Sequence, residues 1–483
     1  MNRELKRVSL VVLLMFVALL SSSSIVQAFQ ADNLSADARN TRTLLDSYSV
    51  ERGAILVNGE PVAQSMPSND DFKFLRTYGN GPLYAAITGF FPINGAPTGL
   101  EQALNGELTG TSNAQFFDKI SAVVTGVDPK GAAVETTIDP VAQQAAWDAL
   151  GDQKGSVVVL EPKTGRVLAM VSKPSFDPNL LAVHNNAEVT DTYQALLDDP
   201  ANPLINRAIN SLNPPGSVFK LVVVTAALES GNFTPESTFP NPASFQLPGS
   251  SSLVTNSGGG TCGGGDTVTI ATALRLSCNI PMAELGLQLG DDALRATAEK
   301  FGFNSGLSIP MDVTKSNYPA SPDAAQTALS AFGQTDVRAT PLQMAVVSAA
   351  IANGGVAMKP NLVDEILAPD LSPLQTFKPE VMQRVMSEQT AATLTQMMVN
   401  GVQDGAASNA RIDGVEVAGK TGTAENGSTD PYTLWFTGFA PANEPKYAIS
   451  VLIEDGGGMG QTGFGNLLAA PVAQKVLEAV LNK

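Results

Sequence analysis

The chain has 483 residues, 43% of them hydrophobic, which is enough for two domains and a large core. Its formal net charge of −17 argues against a nucleic-acid-binding role, although a basic cleft can sit on an acidic protein. One histidine and two cysteines argue against a protein-built zinc site of the usual kind, and His184 is the sole candidate base for a Ser-His-Asp hydrolase. His184 stands in a polar stretch with Asn185, Asn186 and Glu188 and reads as a surface loop residue.

In chain order, the first segment, residues 1–29, reads as targeting. Arg3, Lys6 and Arg7 precede an apolar run over residues 10–20, then four serines at 21–24. The pure apolar core is shorter than the ~20 residues that span a bilayer, but serines are tolerated in a span, so residues 8–29 read as an uncleaved membrane anchor. Cleavage after Ala28, at Val26-Gln27-Ala28, is the alternative. The basic flank predicts a cytoplasmic N-terminus, a single pass, and an extracytoplasmic remainder.

Residues 30–150 are rich in Gly, Asn and Thr with short strand-like pieces, and predict a small mixed α and β domain. Residues 151–483 predict a larger α+β domain. Two apolar runs, 157–160 and 167–171, bracket Lys163-Thr164-Gly165, which reads as a hairpin turn. Asn213-Pro214-Pro215-Gly216 is a breaker, and from Ser217 to Leu228 the chain is almost wholly apolar until Gly231 stops it. A helix apolar on all sides is a buried one. Strand-like runs follow at 415–418, 435–440 and 447–453, with glycine turns at 455–460 and an amphipathic helix at 471–481.

Three motifs stand in order along this domain: Ser217-Val218-Phe219-Lys220, Ser277-Cys278-Asn279 and Lys420-Thr421-Gly422-Thr423. They form the Ser-x-x-Lys, Ser-x-Asn, Lys-Thr-Gly set of enzymes that acylate themselves on serine. A serine needs a neighbouring base, and residues three apart share one helix face, so Lys220 is the expected base for Ser217. Burial and a second cation would keep Lys220 neutral, and Lys420 is the candidate for that cation. Lys420, with the Thr421 and Thr423 hydroxyls, is also suited to a terminal carboxylate. Ser277 can relay a proton, and Asn279 can hold a substrate carbonyl and the Lys220 side chain. The N–H groups of Ser217 and Thr423 are the expected oxyanion donors. Each motif alone is weak. Ser211-Leu212-Asn213 and Lys163-Thr164-Gly165 are decoys that precede the serine.

With these motifs the sequence resembles the class B penicillin-binding proteins over nearly its whole length. Arg52-Gly53-Ala54-Ile55, Gly99-Leu100-Glu101, Thr136-Thr137-Ile138-Asp139, Pro174-Ser175-Phe176-Asp177-Pro178, Asn206-Arg207-Ala208 and Trp435-Phe436-Thr437-Gly438-Phe439-Ala440-Pro441 carry the resemblance beside the three motifs. The short non-catalytic region is similar to the actinobacterial members. The resemblance implies a penicillin-binding, serine β-lactamase-like transpeptidase domain, an antiparallel sheet flanked by helices, behind a dimerisation or pedestal-like domain. It implies no cofactor and no metal. The stretch ahead of the catalytic domain is shorter than a glycosyltransferase requires.

An extracytoplasmic compartment permits disulfides. Cys262 lies in a glycine-rich loop, residues 258–265, and Cys278 is the middle residue of Ser-x-Asn. Two cysteines allow one connectivity, which would tie the loop to the cleft wall; two separate buried thiols are the alternative.

The function implied is a peptidoglycan D,D-transpeptidase that cross-links stem peptides through an acylated Ser217 and is inhibited by β-lactams. Its partners would be D-Ala-D-Ala stem peptides, β-lactams and wall-synthesis membrane proteins. A D,D-carboxypeptidase or a β-lactamase uses the same motifs with water as acceptor. A class A β-lactamase also needs a glutamate between the second and third motifs, and Glu284, Glu299 and Glu365 lack the Glu-x-x-x-Asn pattern. A β-lactam-binding scaffold or sensor is the third reading.

Overall fold

The structure, a computed structural model, describes residues 2–29, 48, 50–70, 72–112 and 130–483. The parts of the first-domain expectation at 30–47 and 113–129 therefore lie outside the described residues. Asn2–Phe29 is one helix, and its stretch Leu5–Val26 has a mean hydropathy of 2.4 with none of it buried against protein. Among the described residues it is the one helix long and apolar enough to cross a membrane.

A five-stranded antiparallel sheet dominates the larger part of the molecule. Its order is Ala418–Ala424, Thr433–Ala440, Tyr447–Ile453, Gly155–Leu160, Val167–Lys173. Side chains alternate across a strand, and here both faces are covered. Val158, Trp435, Phe439 and Leu452 join the core beneath helices Lys220–Glu229 and Pro341–Ala352. Val157, Val159, Phe436, Ile449 and Val451 pack on the other face with helices Pro140–Leu150 and Gly465–Leu481. Burial on both faces is why every residue of Thr433–Ala440 is buried with no alternation, its two threonines included. The Lys163-Thr164-Gly165 triplet is the turn between the paired Gly155–Leu160 and Val167–Lys173 strands, with Gly165 at φ 79°.

A second sheet has six strands in the order Pro373–Thr376, Val363–Leu367, Ala133–Thr136, Ile55–Val57, Glu60–Pro67, Phe74–Tyr78. Ile55–Val57 and Ala133–Thr136 run parallel, and the rest are antiparallel. The division expected at residue 150 differs from this architecture in two ways. Two strands of the small sheet come from residues 363–376, because Ala133–Thr136 presents a free edge that Val363–Leu367 pairs. Helix Pro140–Leu150 packs on the five-stranded sheet, because Ala142, Ala146 and Leu150 form an apolar stripe that buries there.

Beside the small sheet, Glu101 is fully buried between Arg52 and Arg76, with contacts of 2.5 and 2.6 Å. Burial pushes the Glu101 carboxyl up, and the two guanidiniums outweigh it, so it is held below its ordinary range. Gly53 is required beside this cluster: a Cβ there would lie 1.9 Å from the Ala132 carbonyl oxygen. His184 is not a plain surface residue. Its ring packs against Tyr48 and Phe72, its Nδ1 lies 2.5 Å from Asp70, and its side chain is 9% exposed.

Candidate active site

Pro214 and Pro215 end the preceding segment, and Gly216–Phe219 forms a single 3-10 turn that passes into helix Lys220–Glu229. The sequence predicts an α-helix from near Ser217; the tighter turn brings positions i and i+3 into eclipse, so Ser217 and Lys220 share one face. Gly216 has φ 53°, and its N–H donates to the Gly333 carbonyl at 2.9 Å. Trp435, fully buried, donates its indole N–H to the Pro214 carbonyl at 2.9 Å and pins the turn to the sheet. On the sheet side Gly422 is needed: a Cβ there would lie 2.8 Å from the Pro215 oxygen.

The third motif is itself strand, Ala418–Ala424, at the edge of the five-stranded sheet. The strand-like run at 415–418 begins instead with an isolated bridge between Ile412 and Val415. Ser277 ends the helix Ile270–Leu276 in the left-handed conformation, φ 66°. Such a conformation is costly for a residue with a Cβ and persists where surroundings impose it. Here it turns the Ser277 carbonyl to one lysine and the hydroxyl to the other.

Lys220 is completely buried, and its Nζ donates to the Ser277 carbonyl at 2.8 Å and to Asn279 Oδ1 at 2.9 Å. Lys420, 2% exposed, donates from Nζ to Ser277 Oγ at 2.8 Å and to the Thr421 carbonyl at 2.9 Å. Burial drives the Lys220 pKa well below its ordinary value, and the Lys420 charge lowers it further. Burial lowers Lys420 to about 7.

The two threonines differ. Thr421 Oγ1 donates to the Ala406 carbonyl at 2.8 Å. Thr423 Oγ1 accepts from the Gly465 N–H at 3.2 Å, and among the described residues its own proton has no acceptor. Ser217, Ser277, Asn279, Thr421, Gly422 and Thr423 line one cleft of about 740 Å3, with the two lysine amines bonded to its wall. The decoys lie elsewhere: Ser211 Oγ donates to Glu454, and Asn213 Nδ2 donates to Ser211. None of Glu284, Glu299 and Glu365 lines the cleft.

Sequence reasoning missed two asparagines. Asn256, 4% exposed, accepts at Oδ1 from the N–H groups of Asn279 and Ile280 at 2.9 and 3.2 Å, and so caps the helix Ile280–Leu289. Asn241, 2% exposed, accepts from the Cys262 N–H and donates to the Cys262, Gly264 and Gly265 carbonyls. No local sequence signal marks either one, because the N–H groups they accept from lie more than twenty residues away. Cys262 and Cys278 are joined as a disulfide, with Cα atoms 5.8 Å apart, and among the described residues no cysteine is free.

With this sheet, this serine turn and this pair of buried lysines on one cleft, the chain belongs to the penicillin-binding protein transpeptidase family. The transpeptidase domain of penicillin binding proteins matches residues 155–478, and the penicillin binding protein A dimerisation domain matches residues 52–134. The chain is 44% identical to the peptidoglycan D,D-transpeptidase PbpA of Mycolicibacterium smegmatis, over 100% of both chains. It is 43% identical to the protein of the same name from Mycobacterium tuberculosis, over 100% of this chain and 99% of that one. Its structure matches the ceftriaxone acyl-enzyme of penicillin-binding protein A from M. tuberculosis with a TM-score of 0.87 and 41% identity, over 90% of this chain and 100% of that one. The Pseudomonas aeruginosa PBP2 structure matches at TM-score 0.74 and 27% identity, over 90% and 96%.

Proposed function

We propose that Ser217 is the nucleophile and Lys220 the base of a peptidoglycan D,D-transpeptidase. The protein is a serine-type acyltransferase of wall synthesis that binds peptidoglycan stem peptides and β-lactams. The observation that carries the residue assignment is the hydrogen-bond count at Lys220. A neutral amine has two N–H donors and one lone pair. Two donors are taken, by Ser277 O and Asn279 Oδ1, and burial beside the Lys420 charge favours the neutral amine, whose lone pair then serves the Ser217 proton.

The steps follow from that assignment. Lys220 takes the proton as Ser217 Oγ attacks the carbonyl between two D-alanines. The oxyanion is met by the N–H groups of Ser217 and Thr423. In support, an added Cβ at Gly216 would lie 3.0 Å from the Thr423 carbonyl oxygen, so the Thr423 peptide faces the nucleophile turn. N–H and C=O of one residue point to the same side of a strand, which aims the Thr423 N–H there as well. Ser277, bonded to Lys420, passes a proton to the leaving amine. Asn279 holds the substrate amide, and Lys420 with the Thr423 hydroxyl binds the terminal carboxylate. An amine from a second stem then takes the acyl group, the C–O ester bond breaks, and Ser217 recovers its proton.

The N-terminal helix is the membrane anchor, with the cleft on the extracytoplasmic side and the basic tip in the cytoplasm. The six-stranded sheet offers a surface for membrane proteins of wall synthesis. Of the glutamates between the second and third motifs, Glu284, Glu299, Glu365, Glu380, Glu388 and Glu416, none lines the cleft, and Glu425, which does, follows the third motif; this arrangement favours an amine acceptor over a class A β-lactamase reading. Mass spectrometry of the penicillin-labelled peptide tests the assignment: the adduct is expected on Ser217 and lost in Ser217→Ala, and a label elsewhere overturns it.

A further inference from the structure

We propose that a groove beside the nucleophile turn is an anion-recognising subsite for the donor stem peptide, with Arg338 as its cation; this rests on the transpeptidase reading above. The groove has a volume of about 570 Å3. Its walls are Asn213 and Pro214, which lead into the Ser217 turn, together with Thr335, Arg338, Asn426 and Ser428. Glu425 lines both this groove and the catalytic cleft, so the two spaces adjoin at this residue.

The direction of the substrate points into it. A donor whose terminal carboxylate sits at Lys420 and whose scissile carbonyl sits at the Thr423 N–H runs on past Thr423 toward Glu425. At ~3.4 Å per strand residue, Glu425 stands roughly 7 Å beyond Thr423. The residues before the acylated D-alanine therefore reach the groove mouth within one or two positions.

Arg338 is prepared for an anion. Its backbone forms a two-way bridge with Asn317, at 2.9 and 2.8 Å. Its Nη1 donates to the Thr335 and Val337 carbonyls at 2.7 and 2.9 Å. Among the described residues Nε and Nη2 have no hydrogen-bond partner, and no carboxylate lies within ion-pair distance of the guanidinium. The Nε and Nη2 edge of a guanidinium is a fork that takes a carboxylate with two parallel hydrogen bonds. The inward edge of Arg338 is thus anchored by protein carbonyls and the fork is left over.

The loop that aims Arg338 is coupled to catalysis. Thr335 has φ 62°, a left-handed conformation that a β-branched residue adopts only under constraint. Two residues earlier, Gly333 accepts from the Gly216 N–H at 2.9 Å, and a Cβ at Gly333 would lie 2.1 Å from the Gly216 oxygen. Arg338 and Ser217 therefore hang from the same backbone junction. The ligand class is a carboxylate on the donor peptide, one or two residues before the acylated one.

The test uses full-length protein in detergent and two synthetic peptides ending in D-Ala-D-Ala. One carries a free carboxylate one or two residues before the acylated position; its twin carries a carboxamide. The readout is the peptide concentration that halves the rate of penicillin acylation, with the active fraction of each preparation counted by penicillin stoichiometry. The acid peptide is expected to protect at about tenfold lower concentration than the amide. Arg338→Gln should bring that preference close to one, and Arg338→Lys, which keeps the charge without the fork, should leave an intermediate value. Equal protection by the two peptides, protection by neither, or a preference that survives Arg338→Gln overturns the subsite. Failure of penicillin to acylate Ser217 in the unsubstituted protein would instead overturn the transpeptidase reading, and the subsite with it.

Discussion

Asn256 Oδ1 accepts from the backbone N–H of Asn279 at 2.9 Å, while Asn279 Oδ1 accepts from Lys220 Nζ at 2.9 Å. One buried amide outside all three motifs thus sets the position of the amide that holds the Lys220 amine. Asn256→Ala leaves two buried N–H groups unpaired and should cost about 1–3 kcal/mol of stability. Penicillin acylation should fall about tenfold or more, while Asn256→Asp, which keeps the accepting oxygen, should stay within a few-fold. Stopped-flow acylation and thermal melts check this; an alanine variant as fast as the aspartate variant contradicts the positioning role.

The two lysines predict the pH profile. Lys220 acts as base only when neutral, and its pKa is held well below the ordinary value, so its own contribution to the profile is an acid-side decline as it takes up a proton. Lys420 sits at about 7, so its charge disappears as pH rises through that value. A penicillin with its carboxylate should therefore show a bell-shaped acylation rate with an alkaline fall above about 7. The corresponding methyl ester should lack that fall. The same alkaline fall in both compounds would remove Lys420 from carboxylate binding.

Thr423 and Thr421 separate in the same assay. The Thr421 hydroxyl is already donated to Ala406, whereas the Thr423 proton is available. Thr423→Val should slow acylation by the carboxylate-bearing penicillin by about tenfold, in line with the loss of a hydrogen bond to a charged group. Its methyl ester should be much less affected. Thr421→Val should affect the two compounds alike, since its hydroxyl serves the protein.

The disulfide closes a loop with a sequence separation of 16. Thiol titration of denatured, unreduced protein should find no free thiol. Replacing both Cys262 and Cys278 by serine should cost about 3 kcal/mol, the value for a loop near this size. Because Cys278 lies between Ser277 and Asn279, the variant should also acylate more slowly. Unchanged kinetics would limit the bond to a stabilising role.

Glu101→Gln probes the six-stranded part. It leaves Arg52 and Arg76 buried without their counter-charge and should destabilise by about 3–5 kcal/mol. The Glu101 carboxyl is depressed in the fold, so its contribution is present above the unfolded carboxylate pKa and is lost as pH falls through the folded one. Melting curves of the two proteins should therefore converge in acid.

The legible parts were those with local causes. The Pro-Pro-Gly breaker, the apolar run after Ser217 and the Lys163–Gly165 hairpin follow from short-range sterics and patterning. The unread parts depend on distant partners. His184 looked polar because its neighbours are, yet Tyr48 and Phe72 enclose it from far along the chain. Strands Val363–Leu367 and Pro373–Thr376 looked like part of the larger domain by position, yet a free edge at Ala133–Thr136 recruits them.

By itself the amino-acid order supplied three motifs, with a serine, two lysines and an amide at spacings that a helix turn and a strand bring together. Only the tertiary structure decided how those groups are charged and aimed. Protonation depends on burial and on a cation 200 residues away in the chain (Lys220 and Lys420), and hydrogen-bond direction depends on which carbonyl a left-handed Ser277 turns inward. Both are properties of the space between segments, and a linear pattern does not carry that information.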